Sequence, residues 1–222
     1  MEGQPSIFRL PGWVYATMGG MNLRDISHVL PVLRMRLQAQ ESVSPLVDVL
    51  EGERPDARKS AVLLALFEQD GATHLVFIRR AATLRAHSGE IAFPGGSYDP
   101  EDTSLVATAL REAFEEILLE PARVEVLGLL PPVFTVVSNF LILPVVAYLP
   151  AGPGSLIAQA GEVAEVLLLP LAALADPALA HTEIWSNGGR TRQVYFYDYG
   201  SLRIWGATGR ILNSLLTLLR DA

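Results

Sequence analysis

The first periodic stretch of the chain predicts an amphipathic helix between Arg24 and Gln40. Its apolar residues recur at intervals of three and four, the spacing that places side chains on one helix face. They are Ile26, Val29, Leu30, Leu33 and Leu37. Pro31 lies inside this pattern and is expected to kink or split the helix, because proline lacks the amide hydrogen that a helix interior uses. Residues 41–59 are polar and interrupted by proline and glycine, which predicts a connector.

Apolar segments from Ser60 onward predict a β-sheet. Residues 61–67 form an apolar run compatible with a strand or a helix, and residues 74–79 form a second candidate strand after a Gln69-Asp70-Gly71 turn, so the two predict a hairpin. Further strands are predicted at residues 91–93, 123–130, 140–149 and 163–169, with a helical turn at 171–174. A last hairpin is predicted from residues 183–185 and 192–197, which flank Asn187-Gly188-Gly189.

Two longer helices complete the pattern. One is predicted over residues 104–119, with Pro121 helping to end it, and the other over residues 207–220, where leucine and isoleucine recur on one stripe. Strands with an interposed helix predict an α/β fold with a mixed β-sheet covered by helices.

Carboxylates are concentrated on the helix at residues 104–119. At about 100° per residue, Glu115 and Glu116 fall within roughly 60° of Glu112. The opposite, apolar side is the expected core face and carries Val106, Leu110, Phe114, Ile117 and Leu118. Like charges at this spacing destabilise a helix by a few tenths of a kcal/mol per pair. The cluster therefore indicates either a solvated acidic face or a site for a hard cation such as Mg²⁺ or Mn²⁺.

Composition narrows the classes of function. The 222 residues favour one domain with decorations, and the net charge of −7 argues against general nucleic-acid binding, which needs a basic surface. The absence of cysteine excludes disulfides and thiol chemistry. No apolar run approaches the length of a membrane span, and residues 1–20 lack the order of a secretory signal, so a cytoplasmic protein is expected. Met21 is a candidate natural start.

Residues 93–118 combine a glycine turn, an acidic loop and the sequence Arg111-Glu112-Ala-Phe-Glu115-Glu116. This ordered set resembles the Nudix box of the Nudix hydrolases, a family that cleaves nucleoside diphosphates linked to another group with the help of a divalent metal. The helical half of the box matches fully. The chain departs from the usual pattern in the loop, where eight residues rather than seven separate Asp102 from Arg111, and at Leu118, which replaces a glycine.

A second motif lies upstream of the box. Arg80-Ala81, Arg85, Gly89 and Phe93-Pro94-Gly95-Gly96 follow one another, each step separated by three residues. This spacing resembles the extra motif of the coenzyme A pyrophosphatase branch of the Nudix hydrolases. The resemblance implies a Nudix-type α/β/α sandwich over residues 58–222, preceded by an N-terminal extension with an amphipathic helix at residues 1–57. That extension could be a lid, a dimer arm or inert.

The resemblance also implies roles for individual residues. The implied metal ligands are Glu112, Glu115 and Glu116. The implied catalytic residues are Glu115, Glu116, Arg111 and Glu162, with Arg111 orienting the helix through Asp99 or Asp102. Glu162 and Glu165 are both candidates for a metal or general-base role. The implied substrate-binding residues are Arg80, Arg85, Gly95 and Gly96. A backbone carbonyl of the glycine turn is expected beside the helix carboxylates.

The implied reaction is the Mg²⁺- or Mn²⁺-dependent hydrolysis of the diphosphate bridge of coenzyme A or a derivative to 3′,5′-ADP and 4′-phosphopantetheine. Two alternatives remain open. One is a hydrolase of another nucleoside diphosphate derivative such as ADP-ribose, and the other is a non-catalytic ligand-binding protein with the same fold. The expected partner is a small-molecule nucleoside diphosphate derivative that resembles coenzyme A. Binding to nucleic acid or to a membrane is not expected, and the formation of a homodimer is left open.

Overall fold

The computed structural model describes residues 22–37, 54, 56–82, 88–187 and 190–220. The strands in this part of the chain are β1 (Arg58–Gln69), β2 (Ala72–Arg80), β3 (Ile91–Ala92), β4 (Gly95–Ser97), β5 (Glu125–Leu129), β6 (Val133–Thr135), β7 (Phe140–Tyr148), β8 (Val163–Pro170), β9 (Ala180–Asn187), β10 (Arg190–Tyr199) and β11 (Leu202–Ile204). The helices are α1 (Ile26–Arg36), α2 (Leu105–Ile117), α3 (Leu171–Leu174) and α4 (Gly206–Arg220).

An eight-stranded mixed sheet forms the centre of the fold. Its main path runs β3-β2-β1-β7-β5, while β8 pairs with β2, β4 with β1 and β6 with β7. The pairing of β1 with β7 is parallel, and the remaining pairings in this sheet are antiparallel. A second, three-stranded antiparallel sheet has the order β11-β10-β9. The predicted α/β class with a mixed sheet is confirmed.

Both faces of the central strand β1 are buried, and this produces the layered architecture. Leu64 and Leu66 point into a cluster shared with α1, α3, α4 and the small sheet. Leu63 and Phe67 point into a second cluster shared with α2. Each such fully buried side chain contributes about 1.5–3 kcal/mol relative to exposure, so helices on both sides of the sheet are needed to keep β1 from water.

Helix α1 continues through Pro31 as one element, so the predicted split into two helices is wrong, while the alternative of a kink at Pro31 stays a prediction. Asp25 caps its first turn by accepting a hydrogen bond from the amide of Ser27 at 2.9 Å. Val29 and Leu33 are fully buried in the core. Packing of this face offsets the one hydrogen bond that proline removes. The helix therefore lies against the main fold, while the expected domain boundary at residues 57/58 stays a prediction.

Three short strands were not predicted from the sequence. They are β4, β6 and β11, each three residues long. Segments of this length show no periodicity, and β4 begins with Gly95-Gly96, a pair that favours a turn. Strand β1 also begins at Arg58, inside the predicted connector, because its first residues pair with Phe140 and Leu141 of β7.

The buried face of α2 differs from the predicted apolar face. On the predicted apolar side Ile117 is buried and Val106 and Leu110 are partly buried against the core, but the Phe114 side chain is 38% exposed. The residues that face the sheet are instead Thr108, Ala109, Ala113, Glu116 and Ile117. Small side chains let the helix approach β1 and β4 closely, whereas a phenylalanine there would hold it away. The prediction failed because it ranked hydrophobicity above size.

Helix α2 ends at Ile117 with Leu118 as its C-cap, two residues before the predicted end at residue 119. Leu118 has φ 55° and ψ 32°, the left-handed conformation that commonly stops a helix. Its amide donates to the carbonyl of Phe114 at 2.8 Å. Glycine adopts this conformation without cost, whereas leucine pays about 1–2 kcal/mol. Leucine in place of glycine at residue 118 therefore introduces backbone strain into the folded state.

We expect Leu118→Gly to be about 1 kcal/mol more stable than Leu118→Ala, because both variants lose the same side chain and only glycine relieves the left-handed strain. Chemical unfolding of the two variants measures the difference. Equal free energies of unfolding would show that the conformation at residue 118 carries no strain.

Candidate active site

A buried carboxylate lies at the centre of the site. The Glu116 side chain is 3% exposed because it is on the sheet-facing side of α2. Its Oε2 accepts a hydrogen bond from the amide of Gly95 at 2.9 Å. Burial raises the pKa of Glu116 to about 7; the Gly95 amide and the Arg80 charge act in the opposite direction, and the charges of Glu112 and Glu162 add to the rise.

The glycine turn fits against these carboxylates because it has no side chains. Gly95 has φ +151°, and a Cβ there would overlap the backbone of Ala61 and Val62 on β1. A Cβ at Gly96 would overlap the carboxylate of Glu112. The amide of Gly95 contacts the helix carboxylates, while the expected backbone carbonyl beside them stays a prediction. Gly95 is thus required for the close approach of β4 to β1, and Gly96 for its close approach to α2.

Arg111 joins the box loop to the helix. Its Nε and Nη2 donate to the two oxygens of Asp102 at 2.9 and 3.0 Å, so of the two expected partners, Asp99 and Asp102, the guanidinium binds Asp102. Its Nη2 also donates to the carbonyl of Ser97 at 3.1 Å. Its Nη1 donates to Glu112 at 3.0 Å and to Glu115 at 2.9 Å. One guanidinium therefore holds β4, the loop and two of the three box glutamates.

Asp102 is fixed from a second side by α2. The hydroxyl of Thr108, which is fully buried, donates to its Oδ2 at 2.8 Å. The Arg111 hydrogen bonds, followed by those from the Asp99 amide and Thr108, lower the pKa of Asp102 to about 2. Asp102 in turn helps to raise the pKa of Arg111. The pair is a permanently charged brace between loop and helix.

The three box glutamates occupy different environments. Glu112 has a side chain that is 16% exposed, and burial raises its pKa against the influence of Arg111. Glu115 is 53% exposed and pairs with Arg111. Glu112 and Glu116 are thus held close to each other, and Glu115 lies at the solvent edge of the group.

Glu162 belongs to this group through its charge, which raises the pKa of both Glu112 and Glu116. Its backbone carbonyl accepts a hydrogen bond from the amide of Ala81 at 2.9 Å. Glu162 is therefore an exposed residue whose backbone is attached to the end of β2 and whose charge acts on the carboxylates of α2. Its predicted catalytic role stays a prediction.

Arg80 is placed beside Glu116, with its Nη1 3.9 Å from Oε1. The register of β2 against β8 shifts between Arg79 and Arg80. Arg79 pairs with Glu165 through its Nε at 3.2 Å. The two neighbouring arginines thus have different surroundings, and only Arg80 contacts the carboxylate group. Arg85, the other predicted substrate-binding arginine, lies outside the described residues.

The donor chemistry of the group fits a hard divalent cation. Burial raises the pKa of both Glu116, which is buried, and Glu112, which is partly buried, and a cation would supply the positive charge that favours their ionised forms. Over the described ranges, no three acidic or histidine side chains converge closely enough to enclose an ion. The roles of Glu112, Glu115 and Glu116 as ligands therefore stay predictions, and water or substrate oxygens would complete the coordination.

Sequence reasoning missed Thr108, the carbonyl of Ser97 and the residues that fix Glu162. A threonine inside a helix is not a distinctive signal, and a backbone carbonyl carries none. The only available signal was the spacing of Thr108 and Asp102, which places both within reach of Arg111 once the loop folds back on the helix.

Comparison with known proteins gives matches to one family. The NUDIX domain profile matches residues 57–186. A protein of Photorhabdus laumondii named uncharacterized Nudix hydrolase NudL is 42% identical over 158 residues, covering 71% of this chain and 83% of that protein. The NudL of Pectobacterium atrosepticum is 36% identical over 194 residues, covering 86% of this chain and 93% of that protein.

Among solved structures, the Nudix hydrolase RenU of M. smegmatis superposes with a TM-score of 0.46 at 21% identity, covering 54% of this chain and 74% of that one. Likeness at this level bears on neither substrate nor mechanism. The helices described here are all too short or too polar to cross a membrane.

We expect Asp102→Asn to lower the free energy of unfolding at pH 7 by on the order of 1–2 kcal/mol, after allowance for screening. The pKa of Asp102 in the folded protein, about 2, lies below its ordinary value of 3.8. Its contribution is therefore complete above the ordinary value and is lost as pH falls toward the folded one. Urea unfolding of wild type and variant between pH 7 and pH 3 should show the difference narrowing below about pH 4.

Asp99→Asn is the matched control, since Asp99 lies in the same loop and its carboxylate accepts only a local bond from the amide of Glu101 among the contacts described. It should show a smaller effect at pH 7. A difference for Asp102→Asn that stays constant with pH would contradict the assignment of this brace to an ionised carboxylate.

Proposed function

The chain belongs to the Nudix hydrolase family, and on this premise we propose that it hydrolyses the diphosphate bridge of coenzyme A or one of its derivatives, giving 3′,5′-ADP and 4′-phosphopantetheine. The observation that carries the proposal is the position of Arg80. This residue opens the motif that ends in Phe93-Pro94-Gly95-Gly96, and its guanidinium lies beside Glu116, which the same glycine turn contacts.

Arg80 has donors suited to a phosphate. Its Nε is buried and has no hydrogen-bond partner within the described part of the chain. Its Nη1 is 3.9 Å from Glu116, beyond hydrogen-bond distance. A buried donor without a partner is costly in free energy, and a diphosphate oxygen would satisfy it in the planar geometry that guanidinium favours. The predicted substrate contact of Arg85 would add a second positive charge to that of Arg80.

Glu112 and Glu116 would hold the Mg²⁺ or Mn²⁺ ion, with Glu115 contributing from the solvent side. When bound, the ion neutralises phosphate charge and lowers the pKa of a coordinated water. Gly95 and Gly96 leave room for substrate and ion against the helix. Arg111 and Asp102 keep α2 and the loop in one arrangement, which matters because positioning supplies much of the acceleration in phosphoryl transfer.

Glu162 is the proposed general base. Its position next to Glu112 and Glu116 suits a carboxylate that accepts the proton of the attacking water as the water adds to phosphorus and the bond to the bridging oxygen breaks. Glu165 is less suited to this role because Arg79 pairs with it.

We expect coenzyme A to be hydrolysed faster than ADP-ribose or NADH in the presence of Mg²⁺, with 3′,5′-ADP detected by chromatography. Glu116→Gln should lower kcat by at least about 100-fold, because it removes a charged oxygen from the buried centre of the site. Glu120→Gln is the control, since Glu120 is exposed just beyond the end of α2 and should leave kcat unchanged.

The two alternatives give different results in the same assay. If coenzyme A is the poorest of the three substrates, the site acts on another nucleoside diphosphate derivative. If wild type and Glu116→Gln release product at the same slow rate, the protein is a binding protein and the enzyme proposal is wrong.

We expect Arg80→Ala to raise KM for coenzyme A by about 10- to 100-fold, the loss of one or two charge-assisted hydrogen bonds. Arg79→Ala is the matched control, because the neighbouring arginine pairs with Glu165 and should change KM less than about threefold. Steady-state kinetics on both variants measures the effect. An equal rise in KM for the two variants would indicate general electrostatic attraction instead of a contact by Arg80.

A further inference from the structure

The segment that carries Glu162 is attached to the carboxyl end of the box helix. This segment, residues 150–162, is called the strap and connects β7 to β8. The amide of Ile157 donates to the carbonyl of Ile117 at 3.0 Å, and the amide of Gln159 donates to the carbonyl of Glu116 at 2.9 Å. Carbonyls in the last turn of a helix have no partner within the helix. The strap supplies those partners and is thereby fixed to α2.

The last residues of the strap are also attached to β2. The amides of Glu162 and Val163 donate to the carbonyl of Gln159 at 3.2 and 3.1 Å, which forms a tight turn. The amide of Ala81 then donates to the carbonyl of Glu162 at 2.9 Å. Ala81 follows Arg80 directly, so one turn of the strap connects the helix of the box glutamates to the strand that ends in the candidate phosphate-binding arginine.

The turn depends on Gly161. This residue has φ +100°, a region that side chains of L-residues rarely adopt. A Cβ built at Gly161 meets no described atom within 4 Å. Glycine is therefore required here by the backbone conformation and not by a lack of space.

We propose that Gly161 is a positioning residue for catalysis, whose left-handed backbone conformation places Glu162 over the carboxylates of α2. The inference rests on the proposed function, because it acts through the base assigned to Glu162. The attachment at Gln159 fixes the turn on one side of Gly161, and the hydrogen bond from Ala81 fixes it on the other. A residue that cannot adopt this φ must release one of these two attachments, and either release moves Glu162.

The strap contains its own matched control. Gly152 also has a positive φ, +70°, with no described atom within 4 Å of a built Cβ. It lies at the opposite end of the strap, where its amide donates to the carbonyl of Leu149 at 3.0 Å. Alanine at either position meets the same kind of backbone strain, but only Gly161 adjoins Glu162.

The test is a double-mutant cycle with Glu162→Gln. Gly161→Ala should lower kcat for the nucleotide substrate by about 10-fold or more in the wild-type background and by less than about twofold in the Glu162→Gln background. KM should change less than about threefold in both backgrounds.

Gly152→Ala should lower Tm as much as Gly161→Ala and leave kcat within about twofold of wild type. Gly161→Asn should retain more activity than Gly161→Ala, because asparagine adopts positive φ more readily.

Equal losses of kcat in the two backgrounds would overturn the inference, as would equal losses for Gly161→Ala and Gly152→Ala. Amide hydrogen exchange separates failure of the inference from failure of the proposed function. Gly161→Ala should reduce the protection of the Ala81 amide about 10-fold or more, and Gly152→Ala should not. If wild type hydrolyses no nucleotide, the proposed function fails, but exchange at the Ala81 amide still decides whether Gly161 fixes the turn. Unchanged protection of that amide in Gly161→Ala would overturn the inference.

Discussion

The site depends on a carboxylate held where a carboxylate is costly, on the sheet-facing side of a helix. Burial of Glu116 raises its pKa to about 7, and its neighbours Glu112 and Glu162 add repulsion. The surrounding structure is arranged to tolerate this charge. Alanines on α2 bring the helix close to the sheet, a glycine turn presents an amide, and Arg80 approaches from the end of β2. A buried charge of this kind is stable only with partners, and here three segments of the chain converge on it.

The two arginines of the site differ in how many of their donors are hydrogen-bonded, and this difference separates a structural role from a chemical one. Arg111 is saturated by Asp102, Glu112, Glu115 and the carbonyl of Ser97, so it acts as a fixed link between loop and helix. Arg80 is unsaturated, with a buried Nε that lacks a partner among the described residues. Arg111 therefore stabilises the site, while Arg80 keeps donors available for a ligand.

The helix, the sheet class and the box residues were predictable from sequence because each is a local pattern. The carboxylate spacing on α2 and the apolar run of β1 need no knowledge of distant residues. The sheet-facing side of α2 was mispredicted because Ala109 and Ala113 are chosen for size, which a hydrophobicity pattern does not rank. Glu162 could be suggested only through resemblance, since nothing local relates it to Glu112. The attachment of the strap to α2 and to β2, and with it the position of Gly161, depends on long-range packing that no spacing reveals.

The parallel pairing of β1 with β7 has a consequence for how the protein acquires its site. Arg58 lies beside Phe140 and Leu66 beside Tyr148, so the central pair joins residues that are 82 positions apart in the sequence (140 − 58). Contacts this distant in sequence form late, because a long loop must close before they are rewarded. On the ribosome, β1 to β4 and the box helix all emerge before β7, so the helix can pack on β1 and β4 while the edge of β1 that pairs with β7 still lacks its partner. The nascent chain therefore exposes this edge of β1 for the time needed to synthesise the residues up to β7, a natural interval for chaperone contact.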